Sequence, residues 1–202
     1  MTDFARRTGL DDRRLRRLAE VGAFSAFQAD RRSALWQMQG VGTSRDMSLP
    51  MSAEDGAPVF RSLSNFQTIN WDYQFSGHST HGHPLEPLRE MLMAQGLPNA
   101  ERVLQMRDGQ RVKFAGIVIC RQRPSTASGV TFMTLEDESG FLNVVIWKQV
   151  FEDHVVLVKT ASFLGVSGKL QIESQVAHLV AEQFWVPELT VHPESGGSRD
   201  FH

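Results

Sequence analysis

From Arg111 onward apolar and polar residues alternate with a period of two, the pattern of strands with one buried face. RVKFAGIVICRQ predicts a first strand and holds Gly116 at its middle, where a barrel strand needs a bulge or a sharp bend. TASGVTFMTLEDE and GFLNVVIWK predict a second and a third. KQVFEDHVVLV is short and amphipathic, a helix or turn, and ASFLGVSGKLQIES and QVAHLVAEQFWV supply two further strands, with Gly165 and Gly168 permitting curvature.

Upstream the period lengthens. In DRRLRRLAEV, Leu15, Leu18 and Val21 recur every third residue and line one side of a helix that Asp11 or Asp12 can cap and Gly22 can end. Asp30 can cap a second helix, DRRSALWQM, and the pair forms a helical hairpin. Residues 40–65 are rich in Gly, Ser, Pro and Asp and read as a linker. A helix is predicted from about Leu85 to Gln95, stopped by Gly96 and Pro98.

Five strands with a short helix between the third and fourth is the order of an OB-fold barrel. The predicted fold class is therefore α+β: a short helical hairpin region and a connector helix, followed by a five-stranded OB-fold β-barrel. The expected domains are 1–40, a helix-hairpin-helix-like region; 41–70, a linker; 71–108, a connector with one helix; 109–187, the OB-fold domain; and 188–202, a tail.

Alternation also sorts the barrel faces. Thr131, Met133 and Leu135 share one face, which suits the core, and Val130, Phe132 and Thr134 share the other. Phe132 is then a candidate platform for stacking a base, worth about 1–3 kcal/mol per base. Asn143, Val145 and Trp147 share a face of the third strand, where Asn143 can bond a base edge, and Arg121 and Arg123 can hold phosphates at the end of the first. The competing reading is that Phe132 and Trp147 cover the barrel and Asn143 is an ordinary exposed residue.

Two clusters suggest metal or acid–base chemistry. Glu136, Asp137 and Glu138 are adjacent, but neighbours in a strand point to opposite faces, and Ser139-Gly140 marks a turn. The expectation is a solvated hairpin tip. His78, His81 and His83 lie in a Gly-rich loop with no nearby cysteine and read as turn residues, so no metal, cofactor or catalytic residue is expected.

The chain has 202 residues, 41% hydrophobic and 22% charged, with a net charge of −2. It contains no run of about 18 apolar residues, and MTDFARRTGL lacks the apolar stretch of a signal peptide, so no membrane partner and a cytoplasmic location are expected. The single cysteine, Cys120, fits a reducing compartment. Charge is uneven: up to Arg45, nine arginines stand against five acids. Arg13, Arg14, Arg31 and Arg32 are the candidate phosphate ligands of the hairpin, although a second glycine two residues after Gly22 is replaced by Phe24. A solvated helix face with local ion pairs explains the same charges.

LRRLAEVGAFSAFQADRRSALWQM, DYQFSGHSTHGHPLEPLR and VKFAGIVICRQRPSTASGVTFMTLEDESGFLNVVIW occur in that order, and the chain ends in SRDFH. Together these resemble the C-terminal portion of bacterial C-family DNA polymerases, most closely their error-prone branch. The resemblance implies a tail region of a translesion polymerase engaged in damage-induced synthesis and repair, lacking the carboxylates that transfer nucleotides. It implies single-stranded template DNA as a partner, met by Arg121, Arg123, Phe132, Asn143 and Trp147. The remainder of the polymerase or an accessory mutagenesis protein is the other implied partner, and docking of that protein is the alternative function.

Overall fold

The computed structural model describes residues 2–28, 30–43, 58, 60–124, 129–173, 176–193 and 198–201. The part of the predicted linker at 44–57 lies outside these residues.

A barrel forms because β1 (Arg111–Gln122) is long enough to have two partners. Its first half pairs antiparallel with β4 (Phe163–Glu173) and its second half with β2 (Thr131–Asp137). β2 turns into β3 (Gly140–Ile146), β3 pairs in parallel with β5 (Val176–Trp185), and β5 returns antiparallel to β4. The ring β1-β2-β3-β5-β4 is closed, as the five predicted strands require. Where one helix was expected between strands three and four there are two, α7 (Lys148–Asp153) and α8 (Val155–Thr160).

Two glycines are fixed by close approach. A Cβ on Gly116 would stand 3.0 Å from the Glu136 carbonyl, from Leu135 and from the Phe114 ring. The bulge of β1 falls nearby, between Val118 and Cys120. The second bulge, between Ser167 and Gly168, brings the Val180 carbonyl against Gly168, where a Cβ would collide with it.

Phe114, Met133, Leu135, Leu142, Val144, Leu164, Leu170 and Leu179 fill the interior, joined by Phe151 and Val158 from the two helices. Each such side chain contributes about 1.5–3 kcal/mol on burial. Residues 114–118 of β1 are all buried, so its alternation breaks there. The reason is a second apolar layer: Leu85, Leu88, Leu92 and Leu97 of the connector pack on Ala115, Ile117 and Phe163, outside the barrel.

The connector holds a 3-10 turn (Glu86–Leu88) that runs into α5 (Arg89–Ala94), then α6 (Ala100–Leu104), capped by Asn99. Gly96, at φ +74, ends α5 as the sequence predicts. Before it lies α4 (Asn65–Ser76), a helix not foreseen, which crosses the expected boundary at residue 70.

At the N-terminal side α1 (Thr2–Thr8) packs with α2 (Asp12–Glu20) and α3 (Arg31–Thr43). The buried face of α2 is Leu15 and Ala19, with Leu18 half-buried, whereas Val21 is the exposed C-cap. Phe24 is buried and meets Phe4 edge-to-face at 5.3 Å. The position of the missing second glycine thus holds a core residue. No helix among the described residues is long and apolar enough to cross a membrane.

β6 (Arg199–Phe201) lies parallel to the end of β1.

Candidate nucleic-acid interface

The outer face of β2 and β3 is built by strand alternation. Thr131, Met133 and Leu135 point inward and are buried, while Phe132 is 39% exposed. On β3, Asn143 is exposed, Val145 half-buried, and Trp147, which caps α7, is 56% exposed. Cross-strand register sets Phe132 beside Val145 and Thr134 beside Asn143. Thr134 Oγ1 donates to Asn143 Oδ1 at 3.0 Å, which commits the amide oxygen and leaves its NH2 as the donor.

The same two rows continue across the sheet. Asn143 is in register with His178 of β5 and, beyond it, Gln171 of β4; Val145 leads to Val180, Lys169 and then Arg111. Lys169 and Arg111 are exposed, Arg111 with an ion pair to Glu182 at 3.2 Å. His178, Lys169 and Arg111 were not predicted. Their outward parity was readable from the buried Val112, Leu170 and Leu179 beside them, but only the parallel β3–β5 pairing puts them in line with Phe132.

Arg121 and Arg123 have different surroundings. Arg121 is in register with the inward Met133, and its guanidinium donates to the carbonyls of Val158, at 2.7 Å, and Ala161 and to Ser198 Oγ. All three nitrogens are engaged inside the protein, and the side chain is 11% exposed. Arg123 is exposed and lies over the Phe151 ring at 4.6 Å. Stacking occupies its flat face and leaves its N–H edge, unbonded among the described residues, to meet an anion.

In the hairpin region Arg13 is exposed, and Arg14 pairs with Asp11 at 3.5 Å on the surface. Arg31 donates to Asp72 of α4 at 2.8 Å, and Arg32 to the Arg61 carbonyl at 3.0 Å. Arg31 and Arg32 therefore tie α3 to the segment that follows it. Asp72 is a hub: it also accepts from Ser79 at 2.6 Å and lies 3.0 Å from His81 Nδ1. Burial pushes the Asp72 carboxyl up, but the bonds from Ser79, His81 and Arg31 outweigh it and hold it below its ordinary value. An open cleft of about 860 Å³ beside it is lined by Gly22, Arg31, Thr68, His78 and His81.

The histidines do not converge. His78 Nδ1 lies 3.0 Å from the Ser76 carbonyl, His81 faces Asp72, and His83 Nδ1 accepts from the Leu85 N–H at 3.1 Å. Burial holds His83 below its ordinary value although Glu138 and Asp137 act the other way.

The acidic cluster is not the solvated tip that was expected. Asp137 is buried, accepting from the Ala100 N–H at 2.8 Å, from Ser139, and from Arg89 at 3.0 Å. Glu138 takes the other side of the same guanidinium, at 2.5 and 2.8 Å. Glu136 is half-buried, and its carboxyl is raised by burial and by the charge of Asp137. The tip is thus the anchor of α5 and α6 on the barrel, because a buried and a half-buried acid side by side need a cation and N–H donors.

Residues 112–187 match the family model of an OB-fold nucleic acid binding domain. The chain is similar to the error-prone DNA polymerase of Caulobacter vibrioides, 40% identical over 87% of this chain and 17% of that protein. It is also similar to those of Methylococcus capsulatus, 36% identical over 98% of this chain and 19% of that protein, and Bradyrhizobium diazoefficiens, 38% over 91% and 16%. Over most of its length, then, the chain is homologous to a part of the error-prone DNA polymerases that makes up 16–19% of their length, and its barrel matches an OB-fold nucleic acid binding domain.

Proposed function

We propose that these residues are the part of a cytoplasmic error-prone polymerase that holds single-stranded template during damage-induced synthesis and repair, with nucleotide transfer performed elsewhere in the full protein. The observation that carries this reading is the open end of the β2–β3 hairpin, where two large aromatics, Phe132 and Trp147, stay exposed beside a hydrogen-bond donor, Asn143. An exposed ring on a barrel face stacks any base, and Arg123 stands one residue beyond Gln122, the register partner of Phe132, where a phosphate would follow. Asp137 and Glu138 of the hairpin are held by Arg89, Ala100 and Ser139, which argues against the cluster carrying the ions of a two-metal reaction.

Arg121 does not enter this contact set, since its donors are bound inside the protein. Arg13 and Arg14, exposed on α2, remain candidates for backbone contacts. The test is fluorescence anisotropy of a labelled single strand at two salt concentrations, with a duplex control. Binding that favours the single strand, weakens with salt and falls on Phe132→Ala supports the reading. Absence of binding at low salt overturns it in favour of docking to an accessory mutagenesis protein or another polymerase region.

A further inference from the structure

We infer that the open groove between α6 and the start of β1 is a second nucleic-acid site, in which Arg102, Arg111 and Lys113, with Lys169 beside them, hold phosphates of the single strand that stacks on Phe132. The inference deepens the single-strand reading above and rests on it.

A conflict in the sheet carries the argument. Arg111 and Lys169 stand directly opposite each other in the β1–β4 ladder, and like charges so placed destabilise a sheet. Glu182 relieves part of this by its pair with Arg111 at 3.2 Å, but both partners are exposed, so water and salt weaken the pair. Lys113 adds a third cation two residues on, exposed on the same side of β1 as Arg111. Arg102, Lys113 and Lys169 have no ion pair among the described residues. A set of cations that works against the fold, and that no acid neutralises, is matched by a polyanion.

The groove suits a sugar–phosphate chain. It has a volume of about 340 Å³, and its described lining joins Met93, Pro98 and Met106 to Arg102, Arg111 and Lys113, with no acidic residue. The apolar side chains suit the sugar, the flexible thioethers adapt to its shape, and the cations suit the phosphates. Lys169 is folded over the turn at Gly109, where a Cβ would stand 3.4 Å from its Cε.

Register joins the groove to the exposed aromatics. The outward row that starts at Phe132 passes through Val145 and Val180 to Lys169 and Arg111. Its four strand spacings, of about 4.8 Å each, make it about 19 Å long, a span of a few nucleotides and within what one OB barrel covers. A strand laid along the row has a base on Phe132 at one end and its backbone in the groove at the other.

The experiment is anisotropy of labelled oligothymidine, alone and paired with its complement, with the whole chain over a salt series. Arg102→Ala and Lys113→Ala should each reduce the slope of log K against log salt for the single strand by about 0.7, and together by about 1.4, one phosphate per cation. Phe132→Ala should leave the slope unchanged, and its loss of affinity should add to theirs, because the two sites share no partner. Lys169→Gln should weaken binding without lowering the unfolding midpoint, since it removes the like-charge opposition. A fall in both would overturn the role given to Lys169. An unchanged slope in the chain carrying both alanines, with Phe132→Ala still defective, overturns the inference and leaves the single-strand reading standing. A loss confined to the duplex overturns the assignment of the groove to the same strand. Failure of the wild-type chain to bind removes both readings.

Discussion

The β2–β3 hairpin has two ends built on opposite terms. At its tip, in a cluster that resembles a catalytic or metal site, Asp137 is buried and Glu138 half-buried, and both are held by Arg89, with an N–H of the connector on Asp137. At the far end, residues that resemble core, Phe132 and Trp147, are exposed. The difference teaches where each residue type is costly. A buried carboxylate persists only with a fixed partner, so the first end speaks for architecture, whereas the uncovered part of an aromatic adds nothing to the core, so the second end is the surface proposed for binding.

The largest expected effect breaks the locked end. Arg89→Ala leaves Asp137 buried without its cation and should destabilise the chain by about 3–5 kcal/mol in denaturant unfolding. Any loss of DNA affinity should then track the unfolded fraction. Phe132→Ala acts on the other end: affinity for a single strand should fall by about 1–3 kcal/mol, with the unfolding midpoint nearly unchanged. Equal effects of both variants on stability would erase the contrast between the two ends.

Smaller changes sharpen it. Arg123→Ala should cost less affinity than Phe132→Ala and reduce the salt slope by about 0.7, because it removes one phosphate partner and no stacking surface. The smallest effect concerns Glu136, whose folded-state carboxyl is raised by burial and by Asp137. A raised acid favours its neutral form: its stabilising contribution is complete below the unfolded value and disappears as pH rises through the folded one. Glu136→Gln should therefore raise the melting temperature at neutral pH, and the gain over wild type should vanish as both approach acid pH. A gain that persists there would mean that the substitution repacks the site rather than removing a charge.

The barrel was legible because its strands alternate and its bends carry glycine, and both signals are local. Asp137 was legible too and was misjudged. Counting in twos from Thr131, Met133 and Leu135 places it inside, which demands a partner, but the turn residues after it suggested solvent. Arg121 follows the same count through its register with Met133, information that needs the pairing and not the strand alone. Helix α4 lacked an apolar stripe, since its buried residues are Ile69, Asn70 and Asp72. Its signal lay in the caps: Ser64 and Gln67 form a reciprocal capping box, and Gly77 ends it at φ +76. β6 is too short for any periodicity and is specified by Arg121, from 77 residues away in the chain for its Ser198 contact.

The double partnership of β1 also has a kinetic side. Arg111 pairs with Lys169 and Asn143 with His178, so closure joins segments far apart in sequence, and the loop entropy must be met before those contacts form. During synthesis β1, β2 and β3 emerge as a meander whose inner face, with Phe114, Met133 and Leu142, has no β4 or β5 to cover it. Slow refolding and a window of aggregation at that stage are the expected consequences of high contact order. The connector precedes that window in the chain, and its leucines are available to cover the outer side of β1, so only one apolar face stays open while the barrel waits to close.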